Sequence, residues 1–205
     1  MPRATVGCRG IVFVSSSIAL SLSLAGVGQA AEAPWHVARG EVRIVVPLKP
    51  GGAFEATSSA LSGALTPGPG KPLPLTGELA LDLSTVDTGI DLRNHHLRDK
   101  YLEVGKGRGF DKAVLSEIVV SAAAGTDFQG KSGFNGTLLL HGVKKPVAGT
   151  AEFRRAGTAV QVDASFPLTL TDFSIEPPVY LGVGVANRVM VKVQLTVAPA
   201  HAAGQ

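Results

Sequence analysis

The chain has 205 residues, of which 45% are hydrophobic, 5% aromatic and only 17% charged. Its 19 basic residues outnumber its 16 acidic ones, but Arg3 and Arg9 stand ahead of an apolar run at the N-terminus, and without them the charges nearly cancel. Such a body lacks the concentrated basic surface that nucleic-acid binding needs, and a single cysteine, Cys8, leaves neither a disulfide framework nor a thiolate metal site.

Residues 1–30 read as a cleaved export signal. Arg3 and Arg9 precede the apolar run IVFVSSSIALSLSL, and Gly28 and Ala30 occupy the small positions of a signal-peptidase site. The run is shorter than the roughly 20 apolar residues of a spanning helix. Cys8 lies before the run rather than at the cleavage point, so a lipid-anchored form is not expected. The mature protein is expected to be periplasmic or secreted, with one domain over residues 31–198 and a disordered Ala-rich tail over 199–205.

From Glu41 onward the hydrophobic period is two, the signature of half-buried strands. EVRIVVPL turns Val42, Ile44, Val46 and Leu48 to one side, followed by the noisier AFEATSSAL. PGPGKPLPL, ending at Leu75, reads as a rigid loop inside the domain, because strand patterning continues on both sides. GELALDLS then places Leu79, Leu81 and Leu83 on one face.

Next comes DTGIDLRNHHLRDKYLEV, the only strong helix candidate. Thr88 is expected as N-cap with Asp91 three residues on, and the helix is expected to end near Gly105. At 100° per residue Ile90, Leu97, Tyr101 and Val104 form an apolar stripe, while Asp91, His95, Asp99 and Glu103 share the opposite face. Two carboxylates flanking a histidine can hold a divalent metal or tune an imidazole for proton transfer. The row lies opposite the apolar stripe, however, and is expected to be a solvated face with weak i,i+4 ion pairs.

Beyond the helix the candidates are AVLSEIVVS, GFNGTLLLHG, PVAGTAEFRR, AVQVDASFPLTL and RVMVKVQLTV. The last two are the clearest. Val160, Val162, Ala164, Phe166, Leu168 and Leu170 alternate in one, and Val189, Val191, Val193, Leu195 and Val197 in the other. Tight connections are expected at Gly142 to Lys145 and at Arg155 to Gly157.

The fold expectation is therefore all-β: an eight-stranded antiparallel, lipocalin-like barrel with one short helix between the third and fourth strands. Closure leaves no sheet edge exposed. A two-sheet sandwich is the alternative.

No chemistry-bearing motif accompanies these strands. There is no HExxH pair, no G-x-S-x-G elbow, and no cofactor fingerprint. GKGRGF precedes a strand rather than opening a helix, so it is a poor phosphate cradle. Eight-stranded barrels either fill their centre with side chains or hold one small ligand. Inward rows of Val, Leu, Ala and Gly with few rings leave room for a cavity, and a filled core remains open at this point.

Two segments carry a family resemblance. Val86, Asp87, Thr88, Gly89, Arg93, His96, Leu97, Arg98, Tyr101, Leu102, Glu103 and Val104 fit one motif, and Gly136, Leu138, Leu140, His141, Gly142, Val143, Lys145, Pro146 and Val147 fit a second. In this order they resemble the YceI-like family of exported bacterial lipocalin-like proteins. The family's D-x-x-H-S element and its aromatic-rich segment after the helix have no counterpart here.

The resemblance implies a barrel whose apolar tunnel binds a polyisoprenoid or similar long-chain lipid, for carriage or storage, without catalysis, cofactor or metal. Burying one CH₂ is worth about 0.8 kcal/mol, so ten such carbons give roughly 8 kcal/mol gross, close to micromolar affinity before ordering costs. The expected lining is Leu79, Leu81, Leu83, Val160, Val162, Phe166, Val189, Val191 and Val193, with Phe54 and Phe134 as nearby rings. His96, Arg98 and His141, polar members of the matched motifs, are the candidates for head-group contact, and the alternative for each is a structural hydrogen bond. Transient membrane contact is a further expectation. The rival readings are a filled structural or interaction barrel and an enzyme using Asp91, His95 and Asp99.

Overall fold

Alternation in the sequence becomes curvature in the structure. In the computed structural model, which describes residues 33–121, 128–180 and 182–199, the strands form one antiparallel sheet that closes on itself. The expected leader (1–30) and the tail beyond Pro199 lie outside the described residues.

Strand β1 (Trp35–Lys49) pairs with the last strand, β11 (Arg188–Pro199), from Trp35 opposite Pro199 to Val45 opposite Met190, and this pairing closes the barrel. On its other side β1 meets β2 (Ala53–Ser58) and β3 (Leu61–Pro67) in a single register, Val42 opposite Ser58 and Trp35 opposite Leu65. β2 and β3 are thus one barrel strand interrupted at Ser59 and Ala60. β4 (Leu73–Asp82), β5 (Lys112–Val120), β6 (Gly130–Leu140), β7 (Val143–Ala156) and β8 (Ala159–Thr169) complete an eight-stranded barrel by successive pairing.

The interruption explains why AFEATSSAL alternates poorly. β1 carries a bulge between Val37 and Arg39, which moves its inward side from Trp35 and Val37 to Val42, Ile44 and Val46. The break between β2 and β3 makes the matching change at the same level, from Leu65 and Leu61 to Ala56 and Phe54. AVLSEIVVS has a similar cause. Glu117 takes a left-handed φ of 52° at a register shift, so Leu115 and then Ile118 and Val120 all point inward. A bulge adds one residue and reverses the face of everything after it.

Gly63 and Gly77 lie diagonally across the β3–β4 pairing, Gly63 opposite Leu79 and Gly77 opposite Leu65, both with positive φ. A Cβ at Gly63 would strike the Glu78 carbonyl oxygen and one at Gly77 the Ala64 carbonyl oxygen. Only glycine lets the two backbones approach this closely.

The hairpin connections fall beside their expected places. The β6–β7 turn is His141 and Gly142, both with positive φ (51° and 74°), and the β7–β8 turn is Gly157 and Thr158. Two-residue turns of the first kind match the twist of the strands they join. Leu73, Pro74 and Leu75, expected in a rigid loop, begin β4 instead.

The helix between β4 and β5 is shorter than expected. α1 covers Asp91–His96 and continues as a wider π turn, Leu97–Tyr101, followed by a short tight turn, Val104–Lys106. Ile90, not Thr88, is its N-cap and makes no side-chain cap bond. The Thr88 hydroxyl is taken by Asn94 Oδ1 at 2.7 Å. A small hairpin, β9 (Val179–Tyr180) and β10 (Val183–Val185), lies between β8 and β11 and pairs with the end of β1. Its strands are too short to show a period.

Candidate ligand cavity and its cover

The barrel interior is divided by a waist. Phe134 of β6 and Phe166 of β8 meet edge to face, ring centres 6.0 Å apart. Gly149 of β7 makes this contact possible: a Cβ there would collide with the Ser165 carbonyl oxygen and approach Phe134 Cε1 and Phe166 Cβ to 2.8 Å.

On one side of the waist the barrel is packed. Trp35 and Phe128 meet in a tilted contact with centres 4.6 Å apart, and Phe128 contacts Phe153 at 6.0 Å. Only a void of about 90 Å³ remains, bordered by Phe134, Val160 and Val162 among others. That is room for roughly three water-sized groups. Val160, Val162 and Phe134, expected to line a ligand tunnel, therefore belong to the sealed end, and Val160 is completely buried.

On the other side lies a cavity of about 1010 Å³. Of the residues expected to face a ligand, Leu79, Leu81, Leu83, Phe166, Val189, Val191 and Val193 line it, with Phe54 at the mouth level of β2. Val42, Ile44 and Val46 of β1 and Leu138, Leu140 and Leu168 of β6 and β8 complete the wall. Sequence reasoning put the β1 row on one side of its strand but left it out of the lining. The signal that could have included it is the same period-two alternation in EVRIVVPL that selected the other rows.

The mouth is covered by α1, its π turn and the β9–β10 hairpin. Ile90, Leu92, Val179 and Val183 all line the cavity, yet Leu92 is 66% and Val179 74% exposed. They form an apolar rim around the opening. The polar side chains of the lining are Thr88, Arg93, His96, Lys100 and Tyr101, at the cover. Arg93 holds its guanidinium over the Phe54 ring, 4.3 Å from the centre, where a cation is attracted by the ring face.

Three ties hold the cover down. Asp87 pairs through its backbone with Thr57 of β2, both hydrogen bonds 2.8 Å. Its carboxylate accepts from the Asn94 amide at 2.7 Å and from the Gly89 N–H at 2.8 Å, and these bonds hold the Asp87 pKa below the ordinary carboxylate value. Arg98 donates from Nη2 to the Val86 carbonyl at 2.9 Å. At the far end His141 lies between the Phe173 carbonyl (Nδ1, 3.0 Å) and Glu103 (Nε2, 3.0 Å). Lys106 also donates to Glu103 at 2.6 Å, and this bond, ahead of the His141 contact, lowers the Glu103 pKa.

Arg98 and His141 were candidates for head-group contact. Neither lines the cavity; both fasten the cover, the structural alternative. His96 does line it. Glu103 was expected in a solvent-facing row with Asp91, His95 and Asp99. The π turn and the left-handed Glu103 backbone (φ 49°) rotate it out of that row and toward His141. Asp91, His95 and Asp99 are exposed.

A closed eight-stranded barrel, packed at one end and hollow beneath a short helix at the other, defines a cavity-bearing protein of the lipocalin-like class. The sequence matches the YceI-like domain over residues 29–197, and the chain belongs to that family. Among solved structures, a polyisoprenoid binding domain from Saccharophagus degradans implicated in plant cell wall breakdown superposes with a TM-score of 0.63 at 20% identity, covering 82% of this chain and 99% of its own. Burkholderia cenocepacia BcnA gives a TM-score of 0.61 at 19% identity, covering 77% and 95%. No curated protein matches in sequence.

Proposed function

We propose that the protein is an exported, non-catalytic binding protein that holds a polyisoprenoid or similar long apolar lipid in the cavity beneath α1, for carriage or storage. The observation that carries this reading is the cavity itself: about 1010 Å³ walled by aliphatic side chains and closed at its base by Phe134 and Phe166. At about 30 Å³ per water-sized group it has room for roughly thirty carbon centres. An apolar wall of this extent offers dispersion contacts and area for burial to an occupant that fills it.

Similarity in fold to a polyisoprenoid binding domain supports the choice of ligand class. The exposed rim of Ile90, Leu92, Val179 and Val183 supports transient contact with a bilayer during loading, because apolar side chains around a lipid-sized opening shorten the path of a chain through water. The arginines ahead of the apolar run in residues 1–30 support export.

Titration calorimetry of lipid-free protein with geranylgeraniol tests the binding reading. Saturable binding with a negative heat-capacity change is expected. Absence of binding by this alcohol and by longer polyprenols rules the reading out.

A further inference from the structure

Apart from the Tyr101 phenol, every ionisable side chain that lines the cavity is a base. Arg93, His96 and Lys100 border it from the cover, and the acids of the same segment, Asp91 and Asp99, do not. Among the described residues none of the three bases makes a salt bridge, and none donates a side-chain hydrogen bond to a protein acceptor. Asp87, the carboxylate just ahead of α1, is already engaged by Asn94 and Gly89.

The spacing places all three on the cavity side: Arg93 and His96 a turn apart on α1, Lys100 one turn further in the π segment. The Arg93 guanidinium carbon lies 4.3 Å from the centre of the Phe54 ring, a contact that restrains the group without using its N–H donors in a hydrogen bond. The forked donors of a guanidinium suit two oxygens of one anion. A helix C-terminus favours cations in general, but that preference does not sort them by side: Arg98 also follows α1 and is tied to the Val86 carbonyl.

We propose that the lipid carries an anionic head group, a phosphate, diphosphate or carboxylate, held at the mouth by Arg93, His96 and Lys100 while its apolar chain fills the cavity. The proposal rests on the lipid-binding reading above and adds the head group's charge to it.

The test compares geranylgeranyl diphosphate, geranylgeraniol and inorganic diphosphate, titrated into lipid-free protein at low ionic strength, where such contacts are least screened. The diphosphate lipid is expected to bind about tenfold more tightly than the alcohol, the scale of one charge-assisted hydrogen bond. In the Arg93→Gln/Lys100→Gln double variant that preference is expected to be lost. Lys144→Gln/Lys192→Gln, exposed on the outer faces of β7 and β11, alters net charge equally and should retain the preference. Equal affinity for the two lipids in the unaltered protein, or a preference that survives the Arg93/Lys100 change, overturns the proposal and leaves the lipid reading standing. Inorganic diphosphate binding as tightly as the diphosphate lipid assigns the bases to a soluble anion and also overturns it. Failure of both lipids to bind removes the lipid reading and the head-group assignment together.

Discussion

The Asn94 side chain donates to Asp87 Oδ1 at 2.7 Å, and its own oxygen accepts from the Thr88 N–H at 2.8 Å and hydroxyl at 2.7 Å. One amide, only 7% exposed, thereby joins the segment that leaves the barrel to the helix that covers it. Asn94→Ala strands the Asp87 and Thr88 partners and is expected to cost about 1–3 kcal/mol. Hydrogen exchange should accelerate over residues 91–101 while β6 and β7 keep their protection. Equal acceleration in both places would mean that Asn94 supports the whole barrel rather than the cover.

Acid should loosen the same tie. The folded-state pKa of Asp87 lies below its ordinary value of 3.8, because the Asn94 amide and the Gly89 N–H bond its ionised form, and that of Glu103 lies below 4.5. A depressed carboxylate adds stability above its unfolded pKa and loses it as pH falls through the folded one. Unfolding midpoints are therefore expected to drop as pH falls below about 4. Asp87→Asn should flatten part of that decline, and a profile identical to the unaltered protein would assign the loss to other groups.

The waist depends on an absent side chain. Gly149→Ala places a methyl against the Ser165 carbonyl, Phe134 and Phe166. Overpacking of this kind costs about 1–3 kcal/mol, and urea unfolding should show a lower midpoint with little change in slope. An unchanged midpoint would show that β7 can draw back from β8.

The two halves of the barrel should answer differently to added volume. Val160→Phe enlarges a completely buried residue beside a void of only about 90 Å³ and is expected to destabilise by about 1–3 kcal/mol. Val191→Trp projects into the cavity of about 1010 Å³, where stability should change by under about 1 kcal/mol while geranylgeraniol binding weakens. Paired thermal melts and titrations of the two variants check this contrast.

The barrel itself was legible. RVMVKVQLTV and AVQVDASFPLTL alternate without interruption, and their inward rows became Val189, Val191, Leu195 and Val197 on β11 and Val160, Phe166 and Leu168 on β8. Strand pairs with bulges were harder to read, because one extra residue at Val37–Arg39 or at Glu117 reverses the phase and looks like noise in a period-two search. The helix was overextended because 100° spacing assumes a regular α-helix, whereas Leu97–Tyr101 widens into a π turn.

Within the candidate site, the inward phase could be read but not which half of each row is hollow. Val160 and Phe166 belong to one alternating row. Val160 lies in the packed end only because Trp35 and Phe128, distant in sequence, converge beneath it. Nor does sequence distinguish Arg98, bonded to a carbonyl 12 positions earlier, from Arg93, which borders the cavity five residues before it. The fate of His141 was equally hidden, since Glu103 reaches it only after leaving the helical path.

Whether the cavity holds a long-chain lipid is tested most directly by native mass spectrometry of the protein isolated from its own host without detergent. A bound mass is expected, released on denaturation, identified after extraction as a single long apolar chain, and reduced in Val191→Trp. A bare protein mass, together with no uptake of added polyprenol or polyprenyl phosphate, would contradict the lipid-binding reading.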